Sequence, residues 1–331
     1  MRKFDSVLVT GGAGYIGSVL TGKLIEKGYK VRVLDSLIYG INGISKFVSN
    51  GSLELISNDI RDTKVIDRAI KDIDCVIHLA AIVGEPLCNK IPESARQINE
   101  LATTNLLNAC TKSVKRFVFG STCSNYGSSE DIANEETPLQ SLSLYSETKV
   151  KSESRILGSK SGSFEPCVLR FATAFGLSPR MRFDLLVQEF IRDAIVNKKI
   201  SIFGSEYWRP LVHVQDISNA CILAIESDKN LISGQVYNVG DNSQNFTKIQ
   251  LGKLIQKYLP ETEIDIVESK KDPRNYKVSF NKIKSKLNYK ITMTVEDGIK
   301  EILEKIKNNE LDPAETEFSN MSKMTEKVKV L

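Results

Sequence analysis

The chain has 331 residues, of which 41% are apolar and 26% charged, so it is long enough and apolar enough to bury a globular core. These values exclude a chain that is disordered throughout. Its 45 basic and 41 acidic residues leave a formal charge of only +4, which does not indicate a nucleic-acid-binding surface and is compatible with a small anionic ligand.

The cysteines and the N-terminus indicate the compartment. Six cysteines are scattered without CxxC spacing, mostly in apolar segments where this residue behaves as a small buried side chain. With only two histidines and no clustered thiols, we expect no metal site. MRKFDSVLVTGG lacks the features of a signal peptide, and no apolar stretch reaches transmembrane length. We therefore expect a cytoplasmic protein with reduced cysteines and no membrane partner.

The first half of the chain alternates between strand and helix patterns. The apolar runs SVLVT, KVRVLD, LELIS, CVIHLAA and RFVFGST are separated by segments with helical spacing. In the first of these segments Ile16, Leu20 and Leu24 recur on one face, and Gly28 follows as a stop. This repetition predicts the α/β class, with a parallel sheet that is covered by helices on both faces.

After LRFATAFG the pattern is less regular, with longer loops and mixed elements. We predict a first domain over residues 1–170 and a smaller mixed α/β substrate domain over residues 171–311, with some later segments returning to the first domain. Residues 312–331 contain few core-forming side chains, and we predict that they form a mobile tail.

A glycine-rich stretch, TGGAGYIG, lies directly between the first strand and the first helix. Its glycines at 11, 14 and 17 allow a sharp turn and a close approach to a pyrophosphate, which the N-terminus of the helix attracts. Asp35 ends the second strand, where a carboxylate accepts hydrogen bonds from the adenosine ribose and repels a 2′-phosphate. The three glycines, Gly11, Gly14 and Gly17, and Asp35 together predict a site for NAD rather than NADP.

A second pattern, YSETK, places Tyr145 and Lys149 four positions apart on one helix face. A phenol has an ordinary pKa near 10, and an ammonium about 5 Å away at an effective dielectric near 20 lowers it by only roughly two units. We therefore hypothesise that Tyr145 becomes a base chiefly when oxidised NAD is bound. Ser121 and Thr122, at the end of RFVFGST, are expected to orient the substrate oxygen.

At this point the chain resembles the extended short-chain dehydrogenase/reductases, and in particular the NAD-dependent sugar-nucleotide epimerases and dehydratases. The resemblance runs from about Ser6 to Lys305. It rests on the combination of TGGAGYIG, Asp35, NDIRD, HLAA, NELATTNLL, GSTCSNYG, YSETK and RPLVHVQD. It implies a Rossmann-type doubly wound sheet, NAD as the cofactor and a nucleotide-diphosphate sugar as the substrate.

The resemblance also implies roles for individual residues. Tyr145 corresponds to the catalytic base, Lys149 to the lysine that binds the nicotinamide ribose, and Thr122 to the catalytic Ser or Thr. Asn99 corresponds to an asparagine that orders the site around the lysine. The remaining cofactor-binding positions lie in the glycine motif, NDIRD, HLAA and GSTCSNYG, and are Tyr15, Ile16, Asp59, Ile60, Leu79, Ala80, Ala81 and Ser121.

The substrate-binding positions rest on the same resemblance. Arg209 and Arg274 correspond to arginines that grip the substrate diphosphate, a role suited to a guanidinium fork. Thr173 stands where many epimerases have a substrate-binding asparagine. Arg180 and Arg182 are further candidates, because AAIVGEPLCNKIP and LRFATAFGLSPRMRFDLLVQEF resemble stretches of GDP-heptose 4-dehydrogenases; a solvated basic loop is the alternative for these two residues.

Several reactions are compatible with this family. Dehydratases have Asp and Glu after the catalytic Thr, whereas Cys123 and Ser124 stand here, so dehydration is not expected. We predict oxidation of the sugar at C4 followed by re-reduction, which is 4-epimerisation. A net 4-dehydrogenase or ketoreductase acting on a nucleotide sugar or GDP-heptose remains open.

A non-catalytic NAD-binding scaffold or sensor is the alternative of another class, because the fold binds cofactor without requiring chemistry. The complete set of Thr122, Tyr145 and Lys149 favours an enzyme. The segments from Glu93 to Cys110 and from Ser143 to Ile156 match helices that pair across a two-fold axis in relatives, which predicts a homodimer.

Overall fold

The computed structural model describes residues 3–268 and 274–327. Its strands are β1 (Ser6–Thr10), β2 (Lys30–Asp35), β3 (Leu53–Ser57), β4 (Cys75–His78), β5 (Arg116–Thr122), β6 (Ser128–Ala133), β7 (Glu165–Phe171), β8 (Thr173–Phe175), β9 (Lys199–Phe203), β10 (Trp208–His213), β11 (Gln235–Val239), β12 (Asn245–Thr247), β13 (Glu263–Val267) and β14 (Asn275–Val278).

The α-helices are α1 (Tyr15–Glu26), α2 (Ser45–Ser49), α3 (Thr63–Ile70), α4 (Glu85–Lys90), α5 (Pro92–Arg96), α6 (Thr103–Ser113), α7 (Leu144–Gly158), α8 (Leu186–Val196), α9 (Val214–Glu226), α10 (Lys229–Ile232), α11 (Lys248–Gln256), α12 (Asn281–Leu287), α13 (Val295–Lys307) and α14 (Asn320–Lys327). A π-helical stretch, Gln97–Ala102, joins α5 to α6, and short 3₁₀ turns span Cys123–Tyr126, Asn242–Gln244 and Thr316–Phe318.

The large sheet has seven strands in the order β11-β7-β5-β4-β1-β2-β3. All neighbouring strands are parallel. The chain moves outward in one direction from β1 to β3 and then returns to the other side of β1 with β4, so the strand order reverses between β1 and β4. In sheets of this type ligands bind beyond the carboxyl ends of the strands at such a reversal. The α/β class and the Rossmann-type sheet are therefore confirmed.

Helices cover both faces of this sheet. On one face Leu20 and Leu24 of α1 share a buried core with Ile217 of α9, and on the other Ile66 of α3 shares a core with Leu106 of α6. Burying each such side chain is worth about 1.5–3 kcal/mol. The central strands β5 and β7 are buried along their whole length, as strands covered on both faces must be.

The second half of the chain forms smaller mixed elements around a third core. Strands β12, β10 and β8 make one small sheet, and β13 pairs with β9. Helices α8, α11 and α13 contribute to their shared core. Strand β11, however, belongs to the edge of the large sheet, where it pairs with β7. The division into domains stays a prediction.

The C-terminal segment differs from the sequence-based expectation. Residues 312–327 of the predicted mobile tail are docked: Phe318 accepts a hydrogen bond from the Phe183 backbone at 2.9 Å, and the two rings lie 6.0 Å apart. Met324 is only 2% exposed. The sequence pattern did not indicate these contacts, because they depend on two widely spaced apolar residues, Phe318 and Met324. Residues 328–331 lie outside the described residues.

Candidate active site

A cleft that is partly open to solvent lies at the carboxyl edge of the large sheet. Among its walls are most of the residues predicted to bind cofactor, namely Gly11, Gly14, Tyr15, Ile16, Gly17, Asp35, Asp59, Ile60, Leu79, Ala80, Ala81, Ser121, Tyr145 and Lys149. Asn99 lies just behind the wall rather than in it. The structure thus brings the sequence-predicted set together at one place, while the role of each residue remains a prediction.

The glycine loop forms the floor of the cleft and leads into α1. Gly11 has a φ of +73°, and a Cβ there would lie 2.8 Å from the backbone nitrogen of Ala80. A Cβ on Gly17 would lie 2.0 Å from the carbonyl oxygen of Gly11. A side chain at Gly11 would therefore clash with the backbone just after β4, and one at Gly17 with the backbone of the glycine loop itself. The glycine loop has no side chains that cover the N-terminus of α1, so the backbone N–H groups there can bind an anion.

Asp35 is held rigidly at the end of β2. Its carboxylate accepts hydrogen bonds from the backbone nitrogens of Ala13 at 2.9 Å and of Leu37 at 2.8 Å. Burial raises the pKa of Asp35, and these two bonds and the charge of Arg180 act in the opposite direction. The carboxylate therefore ties the glycine loop to the second strand at the position where an adenosine ribose is predicted to bind.

Tyr145 and Lys149 project from the first turns of α7, which begins with a capping box formed by Ser143 and Ser146. The Lys149 ammonium is 3% exposed and donates to the carbonyl oxygen of Gly120 at 2.7 Å. Burial lowers the pKa of Lys149 to about 8. It also raises the pKa of the Tyr145 phenol, so in this state the phenol is not a base at neutral pH.

Thr122 lies one residue beyond the cleft wall. Its hydroxyl accepts a hydrogen bond from the backbone nitrogen of Ser124 at 3.1 Å and caps the short turn that follows β5. Its side chain is 9% exposed. The predicted contact between Thr122 and a substrate oxygen stays a prediction.

A buried network behind Ser121 was not found by sequence reasoning. Ser121 donates to Glu153, and Asn125 donates to the same carboxylate at 2.8 Å. Arg170 on β7 forms a bidentate pair with Glu153, with one nitrogen at 2.7 Å. Glu153 lies one turn beyond Lys149 on α7, so this pair fixes the helix against the strand ends. The only sequence signal is the spacing of four between Lys149 and Glu153.

Asn99 supports the cleft from below. Its side chain accepts from the backbone nitrogen of Ile82 at 2.8 Å and donates to the carbonyl of the same residue at 2.9 Å. It also contacts the Thr148 hydroxyl at 3.4 Å. Asn99 therefore joins the loop after β4 to the helix that carries Tyr145, which fits the ordering role that the resemblance implies.

The predicted substrate-binding residues separate into two groups. Arg180 and Arg182 line the cleft, where Arg180 lies over the Tyr39 ring at 4.3 Å and Arg182 pairs with Asp184 at 2.8 Å. Burial and the neighbouring Arg182 lower the pKa of Arg180 to about 10. These two cations lie together in the wall of the cleft rather than in a solvated loop.

Thr173, Arg209 and Arg274 are not in this wall. Arg209 is 5% exposed and donates to the backbone carbonyl of Arg274 at 2.5 Å, so these two positions meet each other. Arg209 also lies over the ring of Tyr276, whose hydroxyl is 3.3 Å from that of Ser124. Thr173 is half-buried in β8. The charge of Arg274 favours the ionised form of Tyr145, which connects this group to the cleft.

Both histidines have structural partners. His78 is buried between the hydroxyls of Thr10 at 2.6 Å and Thr103 at 2.8 Å, and burial lowers its pKa to about 3. His213 is buried, accepts from the backbone of Gln215 and contacts Glu301 at 2.7 Å. Within residues 3–268 and 274–327, no cluster of His, Cys, Asp and Glu side chains could hold a metal ion, and no helix is long and apolar enough to cross a membrane.

These features fit a dinucleotide. The floor is bare backbone at the N-terminus of a helix, and a carboxylate stands at the end of β2. A lysine and a phenol project from α7, and the lysine donates a hydrogen bond to the end of β5. The cleft joins all three in one continuous space. The residues that could hold NAD are those of the glycine loop, Asp35, Tyr145 and Lys149, and this assignment stays a prediction.

Comparison with known proteins identifies the family. The model of the NAD dependent epimerase/dehydratase family matches residues 7–240. A UDP-glucose 4-epimerase from Halalkalibacterium halodurans is 32% identical over 264 residues, covering 73% of this chain and 77% of that protein. UDP-glucuronic acid decarboxylase 1 from Xenopus tropicalis is 27% identical over 304 residues, covering 88% of this chain and 70% of that protein.

A similar solved structure is that of a UDP-glucuronic acid 4-epimerase from Bacillus cereus in complex with UDP-glucuronic acid and NAD. It is 26% identical, has a TM-score of 0.83, and covers 92% of this chain and 99% of that chain. The family match spans β1 to β11 and so includes the glycine loop, Asp35, Tyr145 and Lys149.

Proposed function

Since the chain belongs to the NAD dependent epimerase/dehydratase family and is an NAD-dependent enzyme, we propose that it is a 4-epimerase of a nucleotide-diphosphate sugar. The observation that carries the proposal is the meeting of Tyr145 and Lys149 with the glycine loop and Asp35 in one cleft. The UDP-sugar enzymes among the similar proteins support a nucleotide sugar as the substrate.

The proposed chemistry begins with removal of a proton from the sugar C4 hydroxyl by Tyr145. Bound NAD⁺ would supply the acceptor for the hydride from C4. The guanidinium of Arg182 favours the phenolate, whereas burial opposes it. Lys149 is proposed to act in the same direction as Arg182. The positive charge of an oxidised cofactor would lower the pKa of Tyr145 further, so that the phenol acts as a base. Thr122 is proposed to hold the substrate oxygen.

Re-reduction distinguishes epimerisation from a net redox reaction. If the 4-keto sugar turns over within the cleft, hydride returns to its other face and the C4 centre is inverted. If the keto sugar leaves, the enzyme is a 4-dehydrogenase or, in reverse, a ketoreductase. The same residues serve each reaction, so this alternative is retained.

Dehydration is not favoured by the loop after β5. The segment from Thr122 to Gly127 contains no Asp or Glu that could act as acid and base in an elimination. Cys123 is fully buried and its thiol faces the carbonyl of Arg170 at 3.3 Å. Burial raises the pKa of Cys123 well above its ordinary value, so it cannot exchange protons at neutral pH.

The experiment is incubation of the purified chain and NAD⁺ with a panel of UDP-, GDP-, CDP- and dTDP-sugars that includes UDP-glucuronic acid. NMR and mass spectrometry then identify the product. Inversion at C4 is expected. Accumulation of a keto sugar with NADH supports the dehydrogenase instead, and release of carbon dioxide contradicts epimerisation. Tight NAD binding without turnover of any sugar favours the non-catalytic scaffold.

We also propose that the chain forms a homodimer through the helices around residues 93–110 and 143–156. Leu101 lies in this region and is 57% exposed, so it is an apolar side chain that a partner subunit would bury. Leu142, which precedes α7, is 42% exposed. Sedimentation should show a dimer at micromolar concentration and a shift to monomer for Leu101→Glu; a monomeric wild type contradicts this proposal.

A further inference from the structure

The C-terminal segment forms one wall of the cleft. Asn320 and Met324, both on α14, line it together with the glycine loop and Tyr145. The segment is anchored beside the cleft by Phe318 on Phe183 and by a hydrogen bond from the Asn320 backbone to Asp184 at 3.0 Å. It is therefore built into the wall rather than resting on an outer surface.

Asn320 carries a buried polar atom that needs a partner. Its side chain is 5% exposed, and within the described part of the chain its Oδ1 atom has no hydrogen-bond partner. The same holds for the Nη2 atom of Arg180, a residue that is 7% exposed. A buried polar atom without a partner costs free energy, so two of them in one cleft wall indicate a ligand that supplies the partners.

The two atoms have complementary chemistry. The Arg180 guanidinium donates hydrogen bonds and carries positive charge, which suits a phosphate oxygen. The Asn320 carbonyl oxygen accepts hydrogen bonds, which suits a hydroxyl. A phosphate and a neighbouring hydroxyl are the combination that a nucleoside diphosphate offers. NAD and a nucleotide-diphosphate sugar share this combination.

Met324 extends the wall toward the reacting groups. It packs in one apolar cluster with Ile82 and Cys88, and the rings of Tyr39 and Tyr145 lie against the same cluster. Its burial in this cluster holds α14 against the loop after β4. The helix thus carries both a polar group and an apolar contact on the side that faces the cleft.

We propose that residues 318–324 complete the ligand site, with Asn320 accepting a hydrogen bond from a hydroxyl of the bound nucleotide diphosphate and Arg180 donating to its phosphate. The inference rests on the proposed function only for the nucleotide sugar as a possible ligand. In this arrangement the segment predicted to be a mobile tail contributes directly to the affinity of the cleft.

The test uses the full chain freed of cofactor, with NAD⁺ and UDP as the two probes in calorimetric titrations. Asn320→Ala removes the acceptor, and Asn320→Leu removes it while conserving volume. Lys323→Ala, which breaks an exposed ion pair with Glu317 on the same segment, is the matched control. Thermal melting checks that each variant is folded.

Both Asn320 variants should weaken binding of NAD⁺ or of UDP about ten-fold, whereas Lys323→Ala should not. If only the affinity for NAD⁺ falls, the hydroxyl that Asn320 binds belongs to the cofactor. If only the affinity for UDP falls, the hydroxyl belongs to the substrate. Unchanged affinity for both probes in a folded Asn320 variant overturns the proposal. Failure of the sugar panel to show turnover leaves these affinities unaffected, so the two proposals fail separately.

Discussion

Replacing Lys149 by methionine is predicted to stabilise the cofactor-free protein while it removes the cation from the cleft. Burial lowers the pKa of Lys149 from 10.5 to about 8. Below this pH the folded protein holds a charge that the unfolded chain solvates better, and the difference corresponds to about 3 kcal/mol. Loss of the hydrogen bond to Gly120 removes about 1.5 kcal/mol of stability. The net gain at pH 7 is therefore about 1–2 kcal/mol.

The gain should depend on pH with a definite sign. Between pH 8 and pH 10.5 the unfolded chain keeps a proton on this lysine that the folded protein has lost, so the stability of the wild type rises with pH. The methionine variant has no such proton, so its stability should not show this increase with pH. The advantage of Lys149→Met should accordingly shrink or reverse as the pH increases.

Urea unfolding of the cofactor-free wild type and variant at about pH 7 and about pH 9.5 measures this effect, because groups common to both proteins cancel in the difference. Lys151→Met is the matched control on the same helix: its ammonium is exposed and pairs with Glu147, so its replacement should change stability by less than about 1 kcal/mol at either pH. A stability difference for Lys149→Met that is the same at both pH values would refute the buried-charge reasoning.

Three further predictions concern the cofactor and the base. Tyr145→Phe should lower kcat by about two to four orders of magnitude, whereas Tyr258→Phe, on a phenol that does not line the cleft, should leave kcat unchanged; steady-state kinetics decide. Ultraviolet titration should show a lower pKa for Tyr145 with NAD⁺ bound than without it, and an identical pKa in both states would contradict its activation by the cofactor. Gly17→Ala should abolish NAD⁺ binding in calorimetry, since its Cβ would lie 2.0 Å from the Gly11 carbonyl; Gly158→Ala, whose Cβ meets open space, should bind normally.

Sequence reasoning predicted the local parts of this molecule well. Short local motifs mark the glycine loop, Asp35 and the pair of Tyr145 and Lys149. A tight turn or one helix face fixes the geometry of each, so a few residues are enough to predict it. The alternating strands and helices likewise determine the parallel sheet, since a strand connected through a helix returns parallel to its predecessor. The cleft at the carboxyl edge follows from that order.

The parts that were missed depend on contacts between distant segments. Asn320 lies in the cleft wall next to the contact between Phe318 and Phe183, and no periodic sequence pattern marks that contact. The pair of Glu153 and Arg170 joins a helix to a strand through two buried charges, which the sequence shows only as ordinary charged residues. A short apolar segment or a single polar residue does not show which distant residue it contacts, so such long-range contacts cannot be predicted from the local sequence.

The central claim is that hydride leaves C4 of a nucleotide sugar in this cleft and returns to the same carbon. The most direct measurement follows the label of a nucleotide sugar carrying deuterium at C4 by NMR after incubation with the enzyme and NAD⁺. The proposed 4-epimerase should give a C4-inverted product that retains the deuterium at C4. Inversion accompanied by exchange of the label with solvent would contradict the account.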